Sequence, residues 1–210
     1  MTEPKRRTTH QRRKEARPDE ILSAALAEFG EKGFAATSMG SIAARAGIAR
    51  PTVYLYYATK DAIFEAAVMD RMGDMLSRAH DILAVDAPFD HMLEQMLRNY
   101  YDRIVATDAA VLIRVLVAEG GRFPALARFF RTNVLGAGEA LLAKLISIGI
   151  ARGEVRPEVQ ALDLKVVMAP AVFNMIFGLI FGKMPEDEKE RFIRSHISVI
   201  LLGLQAKSAL

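Results

Sequence analysis

The sequence predicts an all-α fold of about nine helices. Apolar residues recur at three- and four-residue spacings along most of the 210-residue chain. No stretch alternates with period two for long enough to make a strand. Glycine, proline and aspartate clusters cut the periodic runs at intervals suited to helix–turn–helix connections. With 51% hydrophobic residues the chain has ample material for a core. It has no cysteine, which excludes disulfides and thiolate metal sites and fits a reducing cytoplasm. The first residues are basic, but no apolar core of a secretory signal follows them. The expected location is therefore cytoplasmic.

The net charge of +3 is small, but its distribution is uneven. Residues 1–60 hold eleven Lys/Arg against six Asp/Glu, while residues 61–210 hold 17 against 19. The positive charge collects at the N-terminal end, as a phosphate-binding module requires.

Taken in order, residues 1–17 carry seven basic and two acidic side chains, with no branched aliphatic or aromatic residue. This stretch reads as a disordered basic arm, able to follow a DNA backbone or enter the minor groove. Pro18, Asp19 and Glu20 open the first helix, with proline and acids suited to its positive end. Ile21, Leu22, Ala25, Leu26 and Phe29 form its buried face, and Gly33 ends it.

Residues 37–60, TSMGSIAARAGIARPTVYLYYATK, read as two short helices around a tight turn. Thr37 or Ser38 can cap the first of them. Met39, Ile42, Ala43 and Ala46 share one of its faces, and Gly47 supplies the left-handed exit. A second helix over about Arg50–Tyr56 turns Val53 inward and leaves Arg50, Thr52, Tyr54 and Tyr56 outside. The small Ala43 lets the two helices approach. This is the pattern of a helix-turn-helix, whose second helix enters the DNA major groove.

A long helix follows from Lys60 to about Ala84, with Ile63, Phe64, Ala67, Val68, Met72, Met75, Leu76 and Ala79 as its apolar stripe. Its start belongs to the helix-turn-helix region and its end to the rest, which makes it a candidate lever. Further helices are expected from Asp90, from a Thr107–Asp108 cap to about Gly120, and from Pro124 to about Ala151. The last two span about Val159–Phe181 and Pro185–Gln205. The uncharged run Val166–Gly182 is at the lower limit for a membrane span. Pro170 and Asn174 interrupt it, so a helix buried on most sides is the better reading.

The residues around the helix-turn-helix resemble one family closely. Gly33-Phe34, Thr37, Ile42-Ala43, Ala46-Gly47-Ile48, Thr52-Val53-Tyr54, Tyr56-Tyr57, Lys60 and Ala62-Ile63-Phe64 look like the DNA-binding domain of the tetracycline-repressor (TetR) family. The match covers about residues 18–66. Ala49 stands where the family usually has a capping serine, and Pro51 where glycine is common. The resemblance implies a DNA-binding domain over 18–66 and a ligand-binding and dimerisation domain over 67–210. It also implies that Arg50 and Thr52 reach base edges while Thr37, Tyr54, Tyr56 and Lys60 hold phosphates.

The expected partners are a palindromic operator in double-stranded DNA, a second copy of the chain and a small-molecule effector. Membranes are not among them. In the family the last two helices pair with those of a second chain. Here that seam would use Val166, Phe173, Phe177, Phe181, Ile193, Ile197, Ile200, Leu201 and Leu204. Methionine-rich helices suit an adaptable apolar cavity. The resemblance implies one, with Met72, Met75, Leu76, Met96, Tyr100, Tyr101, Val115, Phe130, Phe173, Asn174 and Phe177 as candidate lining.

No constellation supports catalysis, and no cofactor or metal is expected. Gly136-Ala137-Gly138 has no preceding strand, so it lacks the context of a dinucleotide site. His10, His80, His91 and His196 are scattered without metal-binding spacing, and no glycine-flanked nucleophilic serine appears. The expected function is a dimeric transcriptional regulator, a repressor released by a small, mainly apolar ligand. Two alternatives stay open: an architectural DNA-binding protein without an effector, and a helical enzyme.

Overall fold

A computed structural model describes residues 9–105, 109–182 and 184–205. The α-helices are α1 (Thr9–Ala36), α2 (Met39–Arg45), α3 (Arg50–Tyr54), α4 (Lys60–Ala84) and α5 (Phe89–Tyr100). They continue as α6 (Ala109–Glu119), α7 (Pro124–Phe130), α8 (Gly136–Ala151), α9 (Lys165–Phe181) and α10 (Glu186–Leu204). A π-helical turn, Arg131–Leu135, joins α7 and α8 into one rod, so the described residues form the nine helical rods expected. A second π-helical turn, Tyr101–Val105, prolongs α5. The described residues contain no strand, only an isolated bridge between Val155 and Gln205. The Thr107–Asp108 cap and the first eight residues of the basic arm lie outside the described residues.

The chain divides into two compact units. The first comprises residues 1–68 and 111–126, the second residues 69–110 and 127–210. The unit that holds the helix-turn-helix therefore includes most of α6, which sequence reasoning assigned elsewhere.

In the first unit, Ile21, Leu22, Ala25, Leu26 and Phe29 are buried, as their spacing predicts. The start of α1 differs from expectation: it lies at Thr9, ahead of Pro18, and Pro18 sits inside the helix. Gly33 does break the helical path, at φ +78° and ψ 166°. Ser38 rather than Thr37 caps α2. Its hydroxyl accepts from the Ser41 amide at 3.1 Å while the Ser41 hydroxyl accepts from the Ser38 amide at 3.1 Å, a reciprocal capping box. Gly47 makes the turn at φ +65°, and α3 begins at Arg50 with Pro51 in its first turn, where a missing N–H costs nothing. Glu28, almost fully buried on α1, ties α2 down through Arg45 at 2.7 Å and also accepts from Lys32 at 2.9 Å. Hydrogen bonds from Lys32, Ser41 and Arg45 pull its carboxyl from 4.5 down to about 2.

The second unit packs α5, α8, α9 and α10 around one core. Phe89, Leu93, Leu97 and Tyr101 meet Leu141, Leu145 and Ile146 from α8, Val167 and Ala171 from α9, and Ile193, Ile197 and Leu204 from α10. The continuous helix Pro124–Ala151 is long and apolar enough to cross a membrane by length and composition alone. Its Leu141, Leu142, Leu145 and Ile146 belong to this core. Buried within it is a polar chain. His196 Nε2 lies 2.9 Å from the Val167 carbonyl and Nδ1 2.9 Å from the Tyr101 hydroxyl. A carbonyl can only accept, so Nε2 carries the proton, Nδ1 accepts, and Tyr101 donates.

Burial pushes the His196 pKa below its ordinary 6.5. The unfolded chain then takes up the proton first, and stability declines as pH falls below about 6.5. Tyr101→Phe strands Nδ1 without a donor. Urea unfolding at pH 7.5 should show a loss of about 1–3 kcal/mol. An unchanged midpoint would mean that the bond contributes nothing net.

Candidate nucleic-acid interface

The helix-turn-helix presents a mixed surface. Val53 is fully buried, while Arg50, Pro51 and Tyr54 are exposed and Thr52 and Tyr56 are partly covered. Arg50 is pre-positioned: its guanidinium donates to the Tyr54 hydroxyl at 3.2 Å and lies 5.6 Å from the centre of that ring. The five-residue α3 is held from behind by helical bonding that runs past its end, with the Tyr57 amide donating to the Val53 carbonyl at 2.9 Å.

Behind this surface, residues 33–37 are gripped from two sides. Lys60, at the start of α4, directs its ammonium at three backbone carbonyls: Phe34, Ala35 at 3.4 Å and Thr37 at 2.8 Å. It also lies 4.3 Å from the centre of the Phe34 ring. Glu119, at the end of α6, accepts from the amides of Phe34 at 2.6 Å and Ala35 at 2.9 Å. The left-handed turn at Gly33 makes room for this approach, since a Cβ there would come within 2.8 Å of the Glu119 carboxylate. Phe34 is buried in an aromatic cluster, its ring centroid 5.3 Å from Phe29, 5.8 Å from Phe64 and 4.9 Å from Phe123.

Two of the expected phosphate ligands are thereby given internal work. Thr37 is buried, and its hydroxyl donates to the Gly33 carbonyl at 2.7 Å, which uses its one proton. Lys60 has three N–H donors and three carbonyls within reach. Burial pushes its pKa down. The reason is local: the turn at Gly33 takes the α1 end off its regular helical bonding, the backbone itself returning one bond from the Thr37 amide to the Phe34 carbonyl at 3.3 Å, and the nearest cation supplies further donors. Sequence reasoning missed Glu119 and Phe123 in this unit, because both reach it from more than eighty residues away.

The candidate ligand residues are not all brought together. Val115 falls in the first unit, and the other ten in the second. Met72, Met75, Phe130 and Asn174 are buried, Leu76, Met96, Tyr100 and Phe177 partly so, and Phe173 is exposed. The Tyr101 hydroxyl is committed to His196, and the Asn174 amide faces the Met184 sulfur at 3.8 Å. Burial pushes the Tyr100 hydroxyl up to about 12. A cleft of 530 Å³ opens on α4 and α5, but Arg78, Asp81, Ile82, Gln95, Arg98, Asn99, Asp102 and Arg103 line it, none of them an expected ligand residue. Arg98 is itself held by Glu190 through two contacts of 3.0 Å and by Glu94 at 2.8 Å.

The proposed dimer seam also divides. Ile193, Ile197 and Leu204 are buried in the chain's own core, and Ile200 and Leu201 pack against it. Each takes the inward face of α10. The outward face holds Val199 and Leu202, which sequence reasoning did not single out. Val166, Phe173, Ile180 and Phe181 on α9 are, like these two, each more than half exposed. Among the described residues, no group of three or more acids or histidines is placed to hold a metal ion.

Comparison with known proteins agrees with this geometry. Residues 21–67 match the family model of bacterial regulatory proteins, tetR family, and residues 89–193 match the model of the tetracyclin repressor-like C-terminal domain. The HTH-type transcriptional regulator YdeS of Bacillus subtilis is 27% identical over 193 residues, 90% of each chain. A TetR-family regulator from Mesorhizobium loti superposes with a TM-score of 0.76 at 22% identity, covering 95% of this chain and 100% of that one. The Bacillus subtilis regulator FadR, in complex with stearoyl-CoA, has a TM-score of 0.71 at 18% identity, covering 88% and 98%. At such identities these two structures speak for the fold alone.

Lys60→Met distinguishes an internal grip from a phosphate contact. The variant should lose about 1–3 kcal/mol of stability, as carbonyls left unpaired would require. The slope of log affinity for DNA against log salt should stay as in the wild type. A slope shallower by about 0.9 would put Lys60 on a phosphate.

Proposed function

The chain belongs to the tetR family of bacterial regulatory proteins, and from that premise we propose that it is a homodimeric repressor released from operator DNA by a small, mainly apolar effector. It is a DNA-binding transcriptional regulator. The observation that carries the finer reading is the helix-turn-helix with Arg50, Pro51, Tyr54 and Leu55 exposed on its outward face, joined to an α4 that runs on into the second unit.

A homodimer is supported by the outward face of α9 and α10. Six large apolar residues there, Val166, Phe173, Ile180, Phe181, Val199 and Leu202, are each more than half exposed. A twofold pair would place two recognition helices in successive major grooves, about 34–36 Å apart, and would read an imperfect palindrome. Arg50, held by Tyr54, and Thr52 would face base edges, while Tyr54 and Tyr56 would approach phosphates.

An effector is supported by the buried methionines of the second unit and by the acyl-CoA in the FadR complex. Met72, Met75, Leu76 and Met96 would line its apolar part. The effector must bind the form that releases DNA more tightly, since equal affinity for both forms shifts nothing. A coupling of about 1–3 kcal/mol would change DNA affinity about 5–150-fold.

In vitro selection from random duplex DNA should return an imperfect palindrome with two half-sites one turn apart. Phe173→Asp with Leu202→Asp should sediment as a folded monomer and bind that DNA far more weakly. Stearoyl-CoA, the first probe for the effector, should weaken operator binding by the same factor by which operator weakens stearoyl-CoA. Selection of an asymmetric site would overturn the dimer, and a double variant that stays dimeric would overturn the placing of its seam on α9 and α10. Equal stearoyl-CoA affinities with and without operator would exclude it as the effector.

A further inference from the structure

Leu55 is 82% exposed, more than any other large apolar residue of the described chain. Its backbone is helical, at φ −69° and ψ −24°, so the geometry of α3 continues through it. At about 100° per residue, Leu55 lies 200° beyond the buried Val53 and Pro51 lies 200° before it. Both therefore sit within about 20° of the direction opposite the core. On one flank stand Arg50 and Tyr54, bonded to each other, and on the other stands Thr52. The middle of the recognition surface is thus an aliphatic side chain and a pyrrolidine ring, neither able to donate or accept a hydrogen bond.

We propose that Leu55 reads the 5-methyl group of a thymine in the major groove of each half-site. This rests on the reading of the chain as a DNA-binding regulator and adds a specificity residue to it. The argument is one of chemical complementarity. The major groove offers hydrogen-bond donors and acceptors at every base pair, and a leucine placed against them would desolvate polar edges without pairing them. The thymine methyl is the apolar group the groove exposes, and an aliphatic side chain recognises it by burying it. Pro51, on the same face, has no N–H to leave unpaired there. The surface therefore selects by two chemistries at once, a guanidinium at its edge and an aliphatic group at its centre. Arg50 and Thr52 alone, the residues expected to read bases, do not occupy that centre.

The test removes one methyl group at a time. The wild type first selects its operator from random duplex DNA. Each thymine of a selected half-site is then replaced, in both half-sites together, by deoxyuridine, which keeps every hydrogen-bonding group and loses only the methyl. Affinity is measured for the wild type and for Leu55→Ala. At one position the wild type should lose about fourfold per half-site, the value of burying one methyl-sized group. Leu55→Ala should bind the thymine and uracil operators alike, with the affinity of the wild type for the uracil form. Thermal melts of Leu55→Ala should match the wild type, since the side chain packs against little of its own chain. A wild type indifferent to deoxyuridine at every thymine would overturn the proposal, and so would a Leu55→Ala variant that keeps the full thymine preference. A wild type that selects no preferred sequence would overturn it together with the DNA-binding reading.

Discussion

The backbone at the kinked end of α1 satisfies only part of its own polar groups, and the first unit is built around that fact. Gly33 kinks the end of α1 with a positive φ, and from there amides are met by one side chain and carbonyls by another. Lys60 takes the carbonyls of residues 34, 35 and 37, and Glu119 takes the amides of residues 34 and 35. One charge comes from the first residue of α4 and the other from the last residue of α6. Phe34, on the gripped segment, is then fixed among Phe29, Phe64 and Phe123. The helix-turn-helix hangs from this segment, so the aim of α3 depends on it. Any shift of either gripping helix changes the frame from which α2 and α3 are set.

Local chemistry made most of this unit legible in the sequence. The Val53 and Ile42 burial, the turn at Gly47 and the break at Gly33 follow from periodicity and from glycine's access to positive φ. A cap before Met39 was legible too, although its owner, Ser38, could not be told from Thr37 without the pairing with Ser41. Family resemblance pointed to Thr37 and Lys60 as phosphate ligands. It could not show that the Thr37 hydroxyl donates to the Gly33 carbonyl or that Lys60 donates to the Thr37 carbonyl. Glu119 and Phe123 were invisible for a different reason. A carboxylate reaching two amides eighty-odd residues earlier leaves no periodic trace in the chain.

The second unit shows the same division. The amphipathic stripes of α9 and α10 were plain, but a stripe does not say which partner covers it. Ile193, Ile197 and Leu204 turn into the core that α10 shares with α5, where Tyr101, His196 and the Val167 carbonyl close a buried polar chain. A histidine scattered in sequence becomes, in three dimensions, the anchor of α10 on α5 and α9. Val199 and Leu202 then carry the outward face instead. The candidate ligand residues were chosen for softness and aromatic character, and such criteria describe core and cavity equally well.

The grip on residues 33–37 can be tested by amide hydrogen exchange in the whole protein. In the wild type, the Phe34 and Ala35 amides should be protected by the Glu119 carboxylate well beyond ordinary loop values. In Glu119→Ala those two amides should exchange faster by one to two powers of ten, about 1.4–2.7 kcal/mol of lost protection, while the Ile21, Leu22 and Ala25 amides of α1 keep their rates. Unchanged exchange at Phe34 and Ala35 in the variant would contradict the account, because the segment would then be held by something other than α6.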